Sequence, residues 1–335
     1  MAVAQVRDVA ALAGVSPGTV SNALNHPGKV SADTLARIQA AVEELGFIRN
    51  DAARQLRAGN NRSVGMIVLD IANPFFTDVA RGVEDPLAAE GRPLILGNSA
   101  QDPAREQSYL NLFEEQRVAG LLITPVGNVL DRLRRLRDRG TSVVIVDRLS
   151  RAKEFSSVSV DDKLGGQLAI EHLLANGRRR IAFIGGPFGL AQVKNRLGAA
   201  RKAVEIHGSA EIIAMESATM DASAGRLAAD EFLTLPKRKR PDAVFAANDL
   251  VALGVLQSLT LAGVRVPEDI AIIGYDDIDF ASSAAIPLTS IRQPALEMGG
   301  TAAAMLLEVI ADPEGAKVRH IMLKPELVVR TSTAG

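Results

Sequence analysis

Two rhythms of apolar residues run along the chain, and they change near Ser63. Before it the spacing is helical. Val6, Val9, Ala10 and Ala13 share one helical stripe flanked by Leu12, which predicts a short helix. Gly14 suits a left-handed position just past its end. Ser16 reads as an N-cap with Pro17 at the first helical position, where its missing N–H costs nothing. On this second helix Val20 and Leu24 face back toward Val9 and Leu12, leaving Pro17, Gly18, Thr19 and Asn22 outward. A third helix starts at Ser31, carries Leu35, Ile38, Val42 and Leu45 inward and ends at Gly46. Three short helices around a small aliphatic core meet the needs of a helix-turn-helix module, although spacing alone fits any small three-helix bundle.

After Ser63, short β-branched and aliphatic runs alternate with helical stretches. Strands are predicted at 64–69, 93–96, 120–124, 143–146, 181–184, 212–215, 243–246 and 270–273. Runs buried on both faces and separated by helices indicate doubly wound parallel sheets. The series also repeats: GMIVLDIANPFF parallels IAFIGGPFG, AGLLITPVG parallels DAVFAANDL, and VVIVDRLS parallels IAIIGYDDI. Two similar lobes of this kind place a ligand cleft between them, at the carboxyl ends of the strands.

Composition narrows the chemistry. The 335 residues suit about two domains or slightly more. The absence of cysteine excludes disulfides, thiolate metal sites and cysteine nucleophiles, and fits a reducing, cytoplasmic setting. The N-terminus lacks the apolar run of a signal peptide, and no stretch reaches the length of a membrane span. The formal net charge of −1, with residues 1–60 close to balanced, gives no electrostatic sign of nucleic acid, so a DNA reading rests on pattern. His26, His172, His207 and His320 show no ligand spacing, and neither a metal nor a cofactor is expected. There is no G-x-G-x-x-G after the first strand, no P-loop and no G-x-S-x-G elbow, so an enzyme is not expected. The basic stretch 236–241 reads as a solvated loop before a strand, and 132–139 as a charged helix face.

The residues themselves say more than the spacing. VRDVAALAGVSPGTVSNALN, the following VSADTLARIQAAVEELGF helix and the NDAARQLRAG segment closely resemble the headpiece of the LacI/GalR family of bacterial transcription repressors. The match is nearly continuous from Val6 to Gly59, and the resemblance covers almost the whole chain. It implies an α/β protein with an all-α helix-turn-helix headpiece (1–49), a hinge segment (50–61) and an effector-binding and dimerisation core (62–335). That core resembles periplasmic sugar-binding proteins, with two doubly wound parallel sheets: one lobe of about 62–161 and 293–324, the other of about 162–292 and 325–331.

Carried over residue by residue, the resemblance implies that Pro17, Gly18 and Asn22 read bases while Ser16, Thr19, Ser21 and Asn25 hold phosphates. Asn22 departs from the arginine common in the family; asparagine suits adenine where arginine suits guanine. In the hinge, Asn50 and Ala53 precede Leu56, which stands where the family wedges a leucine into the minor groove. Effector contacts are implied for Asn73, Phe75, Phe76, Asp147, Arg148, Arg196, Asn248 and Asp276. Phe76 is equally a core residue by type, and Asn248 and Asp276 equally suit caps or turns. The family's usual glycine three residues after Arg196 is Ala199 here. The expected partners are a pseudo-palindromic DNA operator, a small-molecule effector, most simply a sugar, and a second copy in a homodimer. The competing readings are a solute-binding protein without a DNA role, a corepressor-type regulator answering to a nucleobase, and an α/β enzyme. Effector identity and the sign of its effect on DNA binding are not legible at this level.

Overall fold

The computed structural model describes residues 4–47, 61–150 and 153–334. It comprises two compact units, Met1–Asn60 and Asn61–Gly335. In the first, α1 (Val6–Ala13), α2 (Pro17–Asn25) and α3 (Ala32–Glu44) enclose a small core. Gly14 ends α1 with φ +66°, and Val15 N–H donates to the Ala10 carbonyl at 3.0 Å, which turns the chain sharply into α2. Ser31 caps α3 by accepting from Thr34 N–H at 3.3 Å. Val9, Ala10, Ala13, Val20, Ala23, Ile38, Ala41 and Phe47 are buried, with Leu24, Leu35, Val42 and Leu45 packed against them.

Two residues of the expected stripe lie outside this core: Val6 is 36% exposed and Leu12 47%. Val6 sits in the open first turn of α1. Leu12 projects roughly 60° beyond the buried stripe at the helical rotation per residue. Small alanines let the helices approach closely, so the core needs neither side chain.

The second unit starts with β1 (Val64–Val68), α4 (Pro74–Ala89), β2 (Leu94–Asn98), α5 (Pro103–Glu115), β3 (Gly120–Ile123), α6 (Leu130–Asp138), β4 (Ser142–Val146) and β5 (Ser156–Val160). It continues through α7 (Asp162–Ala175), β6 (Arg180–Gly185), α8 (Ala191–His207), β7 (Glu211–Glu216) and α9 (Ala222–Leu233). Then come β8 (Ala243–Ala246), α10 (Asp249–Leu261), β9 (Ala271–Asp276), α11 (Asp279–Ser283) and β10 (Thr289–Arg292). The chain closes with α12 (Ala295–Ala311), β11 (His320–Leu323) and β12 (Glu326–Val328).

The strands form two six-stranded sheets, ordered β11-β5-β4-β3-β1-β2 and β12-β10-β9-β8-β6-β7. The internal sequence repeat is structural: β1, β3 and β4 hold the same places in the first sheet as β6, β8 and β9 in the second. The sheets differ at one edge, where β11 runs parallel to β5 but β12 runs antiparallel to β10. After β5 the chain enters the second sheet's layer through α7. It returns through α12, which lies against α4 so closely that a Cβ on Gly299 would stand 2.0 Å from the Val79 carbonyl oxygen. Between β11 and β12 it crosses again.

Four strands have no counterpart among the expected runs. β5, Ser156–Val160, is buried along its length although three of its five residues are serine. Two of its three hydroxyls are paired locally: Ser156 accepts from Arg319 N–H at 3.1 Å, and Ser157 pairs with His320 Nδ1 at 3.0 Å, while the buried Ser159 Oγ has no hydrogen-bond partner among the described residues. β10, β11 and β12 are only three or four residues long and take their place from their sheet partners.

Candidate functional site

Two groups of the expected functional residues lie among the described residues, one in each unit. In the first unit, Ser16 opens α2. Its hydroxyl accepts from Thr19 N–H at 3.1 Å and pairs with the Thr19 hydroxyl at 2.9 Å, so both side chains fix the start of the helix. Pro17, Gly18 and Asn22 are exposed on the same helix, and Thr19 and Ser21 are half-exposed. Val20 and Ala23 are buried between them, which anchors the helix and turns the polar residues outward. Asn25 is the last residue of α2. Asn50, Ala53 and Leu56 lie outside the described residues.

In the second unit, the carboxyl ends of β1, β4 and β9 carry polar residues that meet between the two sheets. Asn73 follows β1 and caps α4: its Oδ1 accepts from Phe75 N–H at 3.1 Å. Its amide Nδ2 donates across to Asp276 Oδ2, at the end of β9, at 2.8 Å. Asp147 follows β4 with φ +56°, an unusual backbone state for a residue with a Cβ. Gln192, in the first turn of α8, donates to the Asp147 carboxylate at 2.9 Å and to its carbonyl at 2.8 Å. Two hydrogen-bonded links, Asn73–Asp276 and Asp147–Gln192, therefore tie one sheet's carboxyl edge to the other's.

Arg196 stands one helical turn after Gln192 and is almost fully buried. Its Nε donates to Asp162 Oδ1 at 2.8 Å and its Nη1 to the Ala247 carbonyl at 2.7 Å. The guanidinium lies 3.6 Å from the centre of the Tyr275 ring. Gly165 makes that stacking possible, because a Cβ there would fall 2.2 Å from the Tyr275 hydroxyl. Gln293, at the return from β10 to α12, donates to Asp276 Oδ1 at 2.7 Å.

Burial makes this cluster electrostatically tense. Desolvation, with Asp162 nearby, pushes the Asp147 carboxyl up to about 8. Asp276 is pushed up to about 6, burial outweighing Arg196 and the Asn73 and Gln293 donors. Asp162 is raised too, by burial, despite its partner Arg196. Burial opposes the charge on Arg196, but the surrounding Asp162, Asp276 and Asp147 hold it firmly protonated. One guanidinium thus serves three carboxyl groups. The buried Oε1 of Gln293 and the Oγ1 of Thr124, at the carboxyl end of β3, have no hydrogen-bond partner among the described residues. A buried cluster of carboxyl, amide and guanidinium groups with spare polar atoms suits a neutral ligand whose hydroxyls can both donate and accept.

The remaining expected contacts fall differently. Phe75 and Phe76 pack edge to face, 5.0 Å between ring centres, and both are buried in the apolar core of this unit. Arg148 donates to the Gly127 carbonyl at 2.7 Å and so holds the loop after β3. That loop is fixed from its other side by Glu106, which accepts from Val126 N–H at 2.7 Å. Asn248 caps α10: its Oδ1 accepts from Val251 N–H at 2.9 Å and its Nδ2 donates to the Met220 carbonyl at 2.9 Å. Four residues of the cluster were absent from the expected set: Asp162, Gln192, Tyr275 and Gln293. Only Gln192 carried a sequence signal, its spacing of one helical turn before Arg196. The arginines of 132–139 lie on α6 as a charged helix face, where Arg134 makes paired hydrogen bonds to Glu154 and Arg132 bonds Glu114. Among the described residues no group of His, Asp and Glu could hold a metal ion.

Comparison with known proteins agrees with both units. Residues 5–50 match the bacterial regulatory proteins of the lacI family, and residues 170–333 match a periplasmic binding protein-like domain. The HTH-type transcriptional repressor PurR of Aliivibrio fischeri is 35% identical over 99% of this chain and 98% of its own length. The ribose operon repressor of Bacillus subtilis is 38% identical over 92% of each. Among solved structures, the lac repressor dimer bound to operator and the anti-inducer ONPF aligns over the whole of both chains, with TM-score 0.80 and 26% identity. A LacI family transcriptional regulator from Enterococcus faecium with bound ribose aligns with TM-score 0.74 and 30% identity, over 81% of this chain and 98% of that one. The chain belongs to the lacI family of bacterial regulatory proteins: it is a DNA-binding transcriptional regulator with a helix-turn-helix headpiece and a periplasmic-binding-type effector core.

Proposed function

We propose that this protein is a pentose-responsive repressor whose effector, D-ribose or a close relative, binds between the two sheets of the core. The observation that carries this reading is the buried cross-sheet cluster of Asn73, Asp147, Gln192, Arg196 and Asp276. It sets carboxyl and amide groups around a guanidinium, and a sugar brings hydroxyls that can donate or accept at each. A nucleobase, the second reading, brings few N–H donors and a flat face to be stacked. Phe75 and Phe76 are committed to the core, and the Tyr275 ring is covered by Arg196, which favours the sugar. The bound ribose of the Enterococcus faecium relative and the name of the Bacillus subtilis repressor support the same choice.

On this reading residues 1–49 form the headpiece, 50–61 the hinge and 62–335 the core, whose lobes exchange at about 161, 293 and 324. Pro17, Gly18 and Asn22 meet base edges, Ser16, Thr19, Ser21 and Asn25 meet phosphates, and Asn50, Ala53 and Leu56 act at the centre of a pseudo-palindromic operator. The protein works in the cytoplasm as a homodimer and as a regulator rather than a catalyst. Effector binding changes the balance between lobe arrangements and thereby operator affinity, by as much as the effector's preference for one arrangement.

The test is a calorimetric titration of the full-length protein with D-ribose, other pentoses, hexoses, guanine and hypoxanthine, followed by operator binding with each hit. Saturable ribose binding that changes operator affinity supports the reading. Binding of a purine alone transfers the assignment to the nucleobase.

A further inference from the structure

Along α7 and α8 lies a concavity that shares no lining residue with the cluster. The two helices touch backbone to backbone where Gly166 would carry a Cβ, 2.6 Å from the Arg196 carbonyl oxygen. On their outer side they leave a groove of about 950 Å³. Leu174 and Ala203 help form its floor, and Ile206 stands in it 76% exposed. Gly198 opens directly into free space: an added Cβ there would meet nothing within 4 Å. Lys163, Lys194 and Lys202 line the groove, and none of them has a side-chain partner among the described residues. Its one carboxylate, Glu171, is engaged by Gln167 Nε2 at 2.7 Å.

We propose that this groove is a docking surface for an acidic, amphipathic helical segment of a partner protein. The apolar floor calls for an apolar face, and the free lysines call for carboxylates beside it. Charge placement selects an extended occupant over a single small anion. Lys194 and Lys202 are eight residues apart on α8, about 12 Å along the axis at the helical rise per residue, so the positive charge is spread along the groove. A helix with apolar residues three and four positions apart and glutamates on its flanks meets floor and rim together.

The docked segment would clamp α7 and α8, whose inner sides carry Asp162, Gln192 and Arg196. Occupancy of the groove therefore alters effector affinity, a consequence that rests on the effector reading above. The docking itself does not.

The probe is a fluorescein-labelled, helix-forming peptide with leucines at i, i+4 and i+7 and glutamates flanking them. A scrambled peptide of the same composition serves as control, and binding to the full-length protein is followed by anisotropy. Two variants accompany it, both outside the effector cluster: K194E/K202E, which inverts the rim, and Gly198→Leu, which fills the floor. The expected result is saturable binding of the peptide over its scramble, about tenfold or more weaker in K194E/K202E and lost in Gly198→Leu. Unchanged thermal midpoints show that both variants fold. Absence of saturable binding, equal binding of the scramble, or equal affinity in both variants overturns the proposal. So does sedimentation in which Gly198→Leu dissociates a dimer, which would make the occupant a second copy. A parallel D-ribose titration separates the two readings: a protein that binds the peptide but no ribose keeps the groove and loses the effector assignment. If both bind, an unchanged ribose affinity with peptide bound removes the coupling and leaves the docking.

Discussion

The outer side of α2 and the cluster between the two sheets use similar polar residues in opposite ways. On α2, Pro17, Gly18 and Asn22 are near neighbours in sequence, exposed, and held outward by Val20 and Ala23 beneath them. Between the sheets, Asn73, Asp147, Gln192, Arg196 and Asp276 come from segments up to about two hundred residues apart and are buried. An exposed polar side chain is screened by water, so a change there alters a contact and little else. A buried one has exchanged water for fixed partners, so a change there disturbs charge, fold and function together. Placement, more than residue type, sets what each can do.

The largest effect expected from this contrast is at Arg196. Arg196→Ala strips Asp162 of its buried partner and uncovers the Tyr275 ring, which should cost about 3–5 kcal/mol of core stability. Denaturant unfolding measures the loss, and titration of the surviving folded protein should find the effector response gone. A response that persists would place the effector elsewhere.

The cluster should also make stability depend on pH in a direction unusual for carboxylates. A carboxyl group held above its unfolded pKa stabilises the fold while it is protonated, and that contribution is lost as pH rises. For Asp147 the loss runs from its unfolded value near 4 up to about 8, and for Asp276 up to about 6. The isosteric Asp147→Asn should therefore gain on the parent protein as pH rises through that window, by an amount on the order of a few kcal/mol. Unfolding midpoints of the two proteins at a series of pH values report the difference. Parallel curves would mean that Asp147 is ionised throughout.

On α2, Asn22→Arg should leave headpiece stability nearly untouched. It should change the preferred base opposite that position from adenine toward guanine, a discrimination of about 1–3 kcal/mol, read by selection from a randomised operator pool. An unchanged selected base would remove Asn22 from the readout. The smallest effect belongs to the cap: Ser16→Ala takes away the acceptor for Thr19 N–H and should cost about 1 kcal/mol of headpiece stability, read as a lower melting midpoint.

The same contrast explains what could be read in advance. The headpiece is built from local signals, and Gly14, Ser16, Pro17, Ser31 and Gly46 each announce a helix boundary through their own backbone preferences. What local signals missed there was which apolar residues three small helices cover, hence the exposure of Val6 and Leu12. In the core, the apolar runs located eight strands, while the serine-rich β5 escaped because its burial follows from the strands on either side. Asn248 reads as ligand or as cap from sequence, and its bonds to Val251 and Met220 give the capping geometry. Gln192 stands one helical turn before Arg196 in the sequence, but its bond to Asp147 at 2.9 Å exists only in the folded chain.

Sequence alone determined the helix-turn-helix boundaries, the alternation that builds two parallel sheets, and the internal repeat that makes them alike, because turns, caps and periodicity are properties of neighbouring residues. Tertiary structure alone decided that Asp147 and Gln192 meet, that Arg196 lies between Asp162 and the Tyr275 ring, and that one guanidinium serves three buried carboxyl groups. Those facts depend on burial and on distances between residues far apart in the chain, which no short stretch of sequence encodes.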